Sequence, residues 1–182
     1  MRAGMGCCGV HVVLYFVQRY ITEGGRDMLK RAVYILIQCT WGFVQSLAGL
    51  IVMLLLGRQK HRFYRCACLT EYDVDTVPGF MKNLGCVSLG MFIFIGVKKC
   101  CYEDAAMRAR LDSVASHEYG HTFQSLIFGP LYLLIVGVPS FIWCMRYYSR
   151  RDEYNARGIS YYSRFPEKQA TKYGIMAGKR KP

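Results

Sequence analysis

Five consecutive residues, His117-Glu118-Tyr119-Gly120-His121, are of the types that hold a metal ion and move a proton. On a helix, His117 and His121 stand one turn apart on the same face, so both imidazoles can reach one ion. Glu118 lies beside the first histidine, where its carboxylate can take a proton from a metal-bound water. The chain holds 4 His in 182 residues, so chance supplies this H-E-x-x-H pattern only about 0.003 times. The competing explanation is a pair of structural histidines bonded to carbonyl groups; the pattern and its context favour the metal.

Two histidines and a water leave a zinc site one protein ligand short. Glu167, in Pro166-Glu167-Lys168-Gln169-Ala170-Thr171-Lys172-Tyr173-Gly174, is the best candidate for that ligand, with Asp152 and Glu153 as reserves. A zinc ion there lowers the pKa of its water toward about 7 and polarises a scissile carbonyl, with Glu118 as general base. Tyr161, Tyr162 and Tyr173 are candidates to stabilise the oxyanion. The ligand histidines must be neutral, so metal affinity falls as pH drops below about 6.5.

The elements that position these residues come from the blocks of apolar sequence. Hydrophobic residues make up 53% of the chain and cluster rather than alternate. Val33 to Leu56 holds no charged residue, with Lys30 and Arg31 before it and Arg58, Lys60, Arg62 and Arg65 after it. That length suffices to cross the hydrocarbon core, so one transmembrane helix is expected within 28–57. Gln38, Gln45 and Ser46 give it a polar face, which in lipid turns toward protein. Residues 1–27 read as an extension of uncertain belonging, because Met28 opens a natural start and no small-residue cleavage site follows the apolar run Val10–Val17.

Residues 58–182 form the expected metal-binding domain, mainly α with a small β element. Residues 57–84 are polar and contain the turn signal Pro78-Gly79. Residues 85–97, rich in Phe and Ile, favour a strand, and an edge strand beside the motif helix would let an extended peptide add to the sheet. Residues 98–112 are charged and read as a connection, with Asp112 or Ser113 capping the motif helix. Gly120 costs that helix about 1 kcal/mol relative to alanine, and its expected use is to admit another backbone. Thr122 to Met145 is again free of charge, but Gly129-Pro130 and Gly137-Val138-Pro139 break it.

The net charge of +12 suits an anionic membrane surface or nucleic acid. Its basic residues sit at the edges of apolar blocks, which favours the membrane and argues against nucleic acid. Nine cysteines, with the neighbours Cys7-Cys8 and Cys100-Cys101, match no secreted disulfide framework and read as reduced thiols. A second zinc site from Cys66, Cys68, Cys100 and Cys101 lacks any C-x-x-C spacing.

With the motif and the Glu167 segment in hand, the chain resembles the gluzincin metallopeptidases. Their H-E-x-x-H is followed, tens of residues later, by a helix carrying a ligand glutamate, often written E-x-x-A-D-x-x-G. Glu167, Ala170 and Gly174 match it; Thr171 stands where the family usually has an aspartate that orients a ligating histidine. The chain is also similar to a group of small microbial membrane proteins. That likeness runs from Ile37-Gln38-Cys39-Thr40-Trp41-Gly42 through Ser88-Leu89-Gly90, the motif with Gln124-Ser125, and Gly129-Pro130-Leu131-Tyr132, to Gly137-Val138-Pro139-Ser140 and the Glu167 helix. The resemblance implies a minimal zincin-like fold, a zinc cofactor, a peptide or protein substrate and a membrane location. It also sets a topological condition. If Phe123 to Met145 crossed a bilayer, His121 and Glu167 would lie on opposite sides. A Pro-broken hairpin, membrane-embedded or buried, is therefore expected there.

Overall fold

The computed structural model describes residues 25–77, 79–82, 85–98 and 105–179. The expected extension over 1–27 falls almost wholly outside them, as do Cys100 and Cys101 of the weighed second zinc site. The described chain is mainly helical with one mixed four-stranded sheet. Its order is α1 (Gly25–Thr40), α2 (Phe43–Leu55), β1 (Lys60–Tyr64), β2 (Ala67–Asp73), the one-turn α3 (Gly79–Lys82), β3 (Cys86–Leu89) and β4 (Phe92–Val97). Then come α4 (Ala105–Phe128), α5 (Val138–Ser149), α6 (Arg151–Ala156) and α7 (Glu167–Lys179).

The strands lie in the order β1-β2-β4-β3. β1 is antiparallel to β2, β2 parallel to β4, and β3 antiparallel to β4. Because side chains alternate across a strand, this sheet buries both faces. Cys68, Tyr72, Phe92 and Phe94 point to one side, where Met53 and Leu56 at the end of α2 cover them. Leu69, Ile93, Ile95 and Val97 point to the other, where Ala115 and Tyr119 of α4 cover them. The sheet is thus a filling between α2 and α4, with α7 packed on α4 beyond it.

Several expectations change here. The single transmembrane helix over 28–57 is two helices, bent by 99° between Thr40 and Phe43, and among the described residues no single helix is long and apolar enough to cross a membrane. The bend has a polar cause. Gln38 Nε2 donates to the Thr122 carbonyl at 3.0 Å, and Gln45 Nε2 donates to Ser125 Oγ at 2.9 Å and the Gly129 carbonyl at 3.0 Å. Drawing both amides onto α4 folds the segment at Trp41-Gly42, where a Cβ on Gly42 would meet Gln38 Oε1 at 2.6 Å.

The polar stretch 57–84 supplies β1 and β2, which its composition concealed. The strand expected over 85–97 is a hairpin, turning at Gly90 with φ of 61°. β3 is its outer member and an edge of the sheet, beside α4. α4 is already helical at Ala105, ahead of the expected Asp112 or Ser113 cap, because Ala105-Ala106-Met107-Arg108-Ala109 are strong helix formers. Of the two expected breaks after it, only the first reverses the chain. Gly129 takes φ of 50°, a backbone state that glycine reaches without penalty, and Pro130 follows it. At Pro139 the helix continues instead, since the preceding turn Leu133–Gly137 widens to a π-helix and needs no proline N–H.

Candidate metal centre

α4 and α7 pack antiparallel at almost backbone-to-backbone distance. A Cβ on Gly120 would stand 1.8 Å from the Ala170 carbonyl oxygen, and one on Gly174 would stand 2.0 Å from that of Ser116. Gly120 therefore admits a neighbouring backbone, as its position in the motif suggested. This contact fixes how far α7 lies from the histidines, and it places Glu167 over them.

The result is a buried group of two imidazoles and one carboxylate. Glu167 Oε2 lies 2.9 Å from His117 Nε2 and 3.4 Å from His121 Nε2. One ligand atom from each residue fits within 4.8 Å of the others, so the group could hold a metal ion. His117, His121 and Glu167 are all under a tenth exposed. The reserve carboxylates are elsewhere: Asp152 and Glu153 stand exposed on α6, Glu153 paired with Arg157.

Each ligand atom is aimed by a partner on its far side. Gln124 Nε2 donates to the Pro166 carbonyl and to Gln169 Oε1, so its Oε1 can only accept, and it accepts from His121 Nδ1 at 2.7 Å. Thr171 Oγ1 donates to the Glu167 carbonyl, so it too accepts, from His117 Nδ1 at 2.9 Å. Both imidazoles are thereby held with a proton on Nδ1 and with Nε2 pointing inward, where it would offer its lone pair to a bound ion. Ser140 Oγ donates to Glu167 Oε1 at 2.5 Å, which leaves Oε2 for the histidines.

Ser140 also shows that the chain doubles back. It lies 19 residues after His121, which a straight helix would spread over about 28 Å. Both residues instead reach the same carboxylate. The chain therefore turns back between His121 and Ser140.

Burial alone would raise the Glu167 carboxyl, but hydrogen bonds from His117 and His121, the His121 charge and the Ser140 hydroxyl hold it well below the usual carboxylate range. Burial opposes charge on His121, yet the hydrogen bond to Glu167 and the Glu118 and Glu167 charges leave its pKa raised. Without an ion the pair therefore favours imidazolium and carboxylate.

Glu118 is buried between α4 and β3. Ser88 Oγ of β3 lies 2.5 Å from Glu118 Oε2 and 2.8 Å from the Glu118 carbonyl oxygen. Of the three tyrosines, two are brought to the site. The Tyr162 ring stands edge-on to His117 at 4.9 Å. Tyr161 meets Ser140, and burial, then the Glu167 charge, raises its phenol, so it stays protonated. Tyr173 instead packs toward Phe123, in the layer facing the sheet. Ser88, Gln124, Tyr132 and Ser140 were not singled out from the sequence as site residues. Tyr132 donates to the Ser88 carbonyl at 3.2 Å. Only Gln124 carried a readable signal, lying three residues after His121 on the same helical face. Compared with known proteins, the chain matches no family model, no curated protein and no solved structure.

Proposed function

We propose that this protein is a membrane-associated, zinc-dependent metallopeptidase-like hydrolase, cutting peptide bonds at or near the membrane. The observation that carries the proposal is the convergence of His117, His121 and Glu167, with Glu118 beside them. Zinc bonds of about 2.0–2.2 Å in a tetrahedron set ligand atoms about 3.3–3.6 Å apart. The two Glu167–histidine separations, 2.9 and 3.4 Å, lie close to that spacing, and all three ligand atoms lie within 4.8 Å of one another. The Nδ1 acceptors at Thr171 and Gln124 also suit a metal that takes neutral imidazoles. Together with the Ala170 and Gly174 matches, these features support the gluzincin resemblance.

When bound, zinc supplies an acidified water and polarises a carbonyl. The chain supplies the rest. Glu118 accepts the water's proton and returns it to the leaving amine, with Ser88 restraining its carboxylate. Tyr162 is the better placed of the phenols to donate to a developing oxyanion, since its ring lies beside His117 and reaches solvent. β3, an edge strand joined to Glu118 through Ser88, suits the addition of an extended peptide.

A second reading is favoured by one observation. All three ligands are buried, which restricts a substrate's access to a bound ion and suits a site that serves structure or partner binding. Glu118→Gln separates the two. Zinc-loaded wild type and variant are given a mixed peptide library in lipid nanodiscs, and products are read by mass spectrometry. The hydrolase reading expects unchanged zinc content and a loss of cleavage of about 10²–10⁴-fold. Equal product from both proteins, or none from wild type, leaves the structural metal site.

A further inference from the structure

The two charge-free segments, 33–56 and 122–145, are each broken near the middle, and the two breaks meet. The Trp41 ring occupies the space where a side chain on Gly129 would stand, 2.2 Å from an ideal Cβ. Gln45 reaches from the first break to the Gly129 carbonyl of the second. Around this junction the surface is apolar. Trp41, Phe43 and Val44 on one elbow, and Ile127, Leu131 and Leu134 on the other, are each more than half exposed.

The ends of the first segment return to one side. The Arg31 guanidinium, near the start of α1, lies 5.9 Å from the Phe63 ring in β1, just after α2. The second segment returns as well, because Ser140 reaches Glu167 at the root of α7. Charge marks the same polarity: Lys30, Arg31, Arg58, Lys60 and Arg62 flank the first elbow, and Arg146, Arg150 and Arg151 follow the second.

We propose that the paired elbows form a monotopic anchor, inserted into a single leaflet of an anionic bilayer without crossing it. This rests on the membrane part of the reading above and not on its catalysis. An uncharged apolar cap suits acyl chains, and basic residues beyond its ends suit anionic headgroups. Broken helices at that depth need their backbone groups satisfied by protein. The elbows meet that need: Gln45 donates to the Gly129 carbonyl, Gln38 to the Thr122 carbonyl, and the Gly42 N–H to the Ile37 carbonyl. The polar side chains in an otherwise apolar segment thus seal the breaks, and the metal group sits at the root of the second elbow, where Ser140 meets Glu167.

The test adds full-length protein, tagged at both ends, to preformed vesicles containing a quarter phosphatidylglycerol and lipids brominated at chosen depths. The chain has 2 Trp, Trp41 and Trp143, so fluorescence lost in Trp41→Phe reports Trp41; Trp143→Phe isolates the same signal directly. The expected result is mid-chain quenching of Trp41, with both tags cut by external protease. Phe43→Glu with Leu131→Glu is expected to weaken vesicle binding at least about tenfold at unchanged zinc content. A protected N-terminal tag overturns the proposal in favour of a crossing. Unquenched Trp41 on bound protein overturns it in favour of a protein partner over the cap. Zinc content and peptide cleavage, measured on the same samples, report the catalytic reading separately.

Discussion

Within nine residues of α4, His117, Glu118 and His121 turn toward α7 and β3, while Thr122 and Ser125 turn toward α1 and α2. Both groups are buried, and both join distant parts of the chain. They differ in what they are made of. The second is neutral amide and hydroxyl: Gln38 donates to the Thr122 carbonyl, Ser125 donates to Gln38 Oε1, and Gln45 donates to Ser125. Its amide and hydroxyl donors all find acceptors within the protein, and it has no proton to exchange near neutral pH. The first is held together without an ion by hydrogen bonds between the imidazoles and the Glu167 carboxylate, a charge that is costly to bury. A divalent cation replaces the proton in that arrangement, so one cluster invites a ligand and the other only holds the fold.

The sharpest break in the comparison is Glu167→Ala. It removes the carboxylate that faces both imidazoles, and bound zinc, measured by elemental analysis, is expected to fall from about one per chain to near zero. A retained full equivalent of zinc would refute the assignment. Next, Thr171→Val keeps the shape but removes the acceptor on His117 Nδ1. Zinc affinity by competition with a chromogenic chelator is expected to drop about 10–100-fold. Thr171→Ser, which keeps the oxygen, should stay near wild type, so equal losses in both variants would point to packing.

On the neutral side, Gln38→Ala orphans the Thr122 carbonyl and takes the acceptor from Ser125. A loss of about 1–3 kcal/mol follows, or roughly 2–10 °C in the melting temperature, with zinc stoichiometry unchanged. The smallest effect is the pH slope. Glu167 is lowered from its ordinary 4.5, so its contribution is present above that value and lost as pH falls through the folded value. His121 is raised from its ordinary 6.5, so its contribution is present below 6.5 and lost as pH rises through the folded value. Chelator-treated protein should therefore melt highest between those ordinary values and lose stability above neutrality. Zinc-loaded protein, which needs neutral histidines, should gain over the same rise. Parallel slopes in the two melting series would show that no proton is displaced by the metal.

The sequence made the first cluster easy to find, because H-E-x-x-H on a helix fixes its geometry locally. Gly120 was readable for the same reason: a glycine inside a helix has a cost that a close contact explains. The second cluster was half readable. Gln38 and Gln45 announced a face turned to protein, but not the 99° bend that lets both reach α4. A run of 24 uncharged residues looks the same whether it crosses a bilayer or folds at Gly42, since hydropathy has no direction. β1 and β2 were hidden for a related reason. β2 is covered on both faces by α2 and α4, so no alternation of polar and apolar residues survives in Ala67–Asp73.

By itself, then, the sequence determined the ligand types, their helical spacing and the need for a returning chain between His121 and Glu167. The tertiary structure decided which carboxylate came home, which of the glycine–proline breaks reversed the chain, and which oxygens point the imidazoles inward. Those choices depend on groups 19 to 54 residues apart, such as Ser140 with His121 or Thr171 with His117. No local periodicity encodes such pairs, because they exist only where Gly120 and Gly174 let two backbones touch.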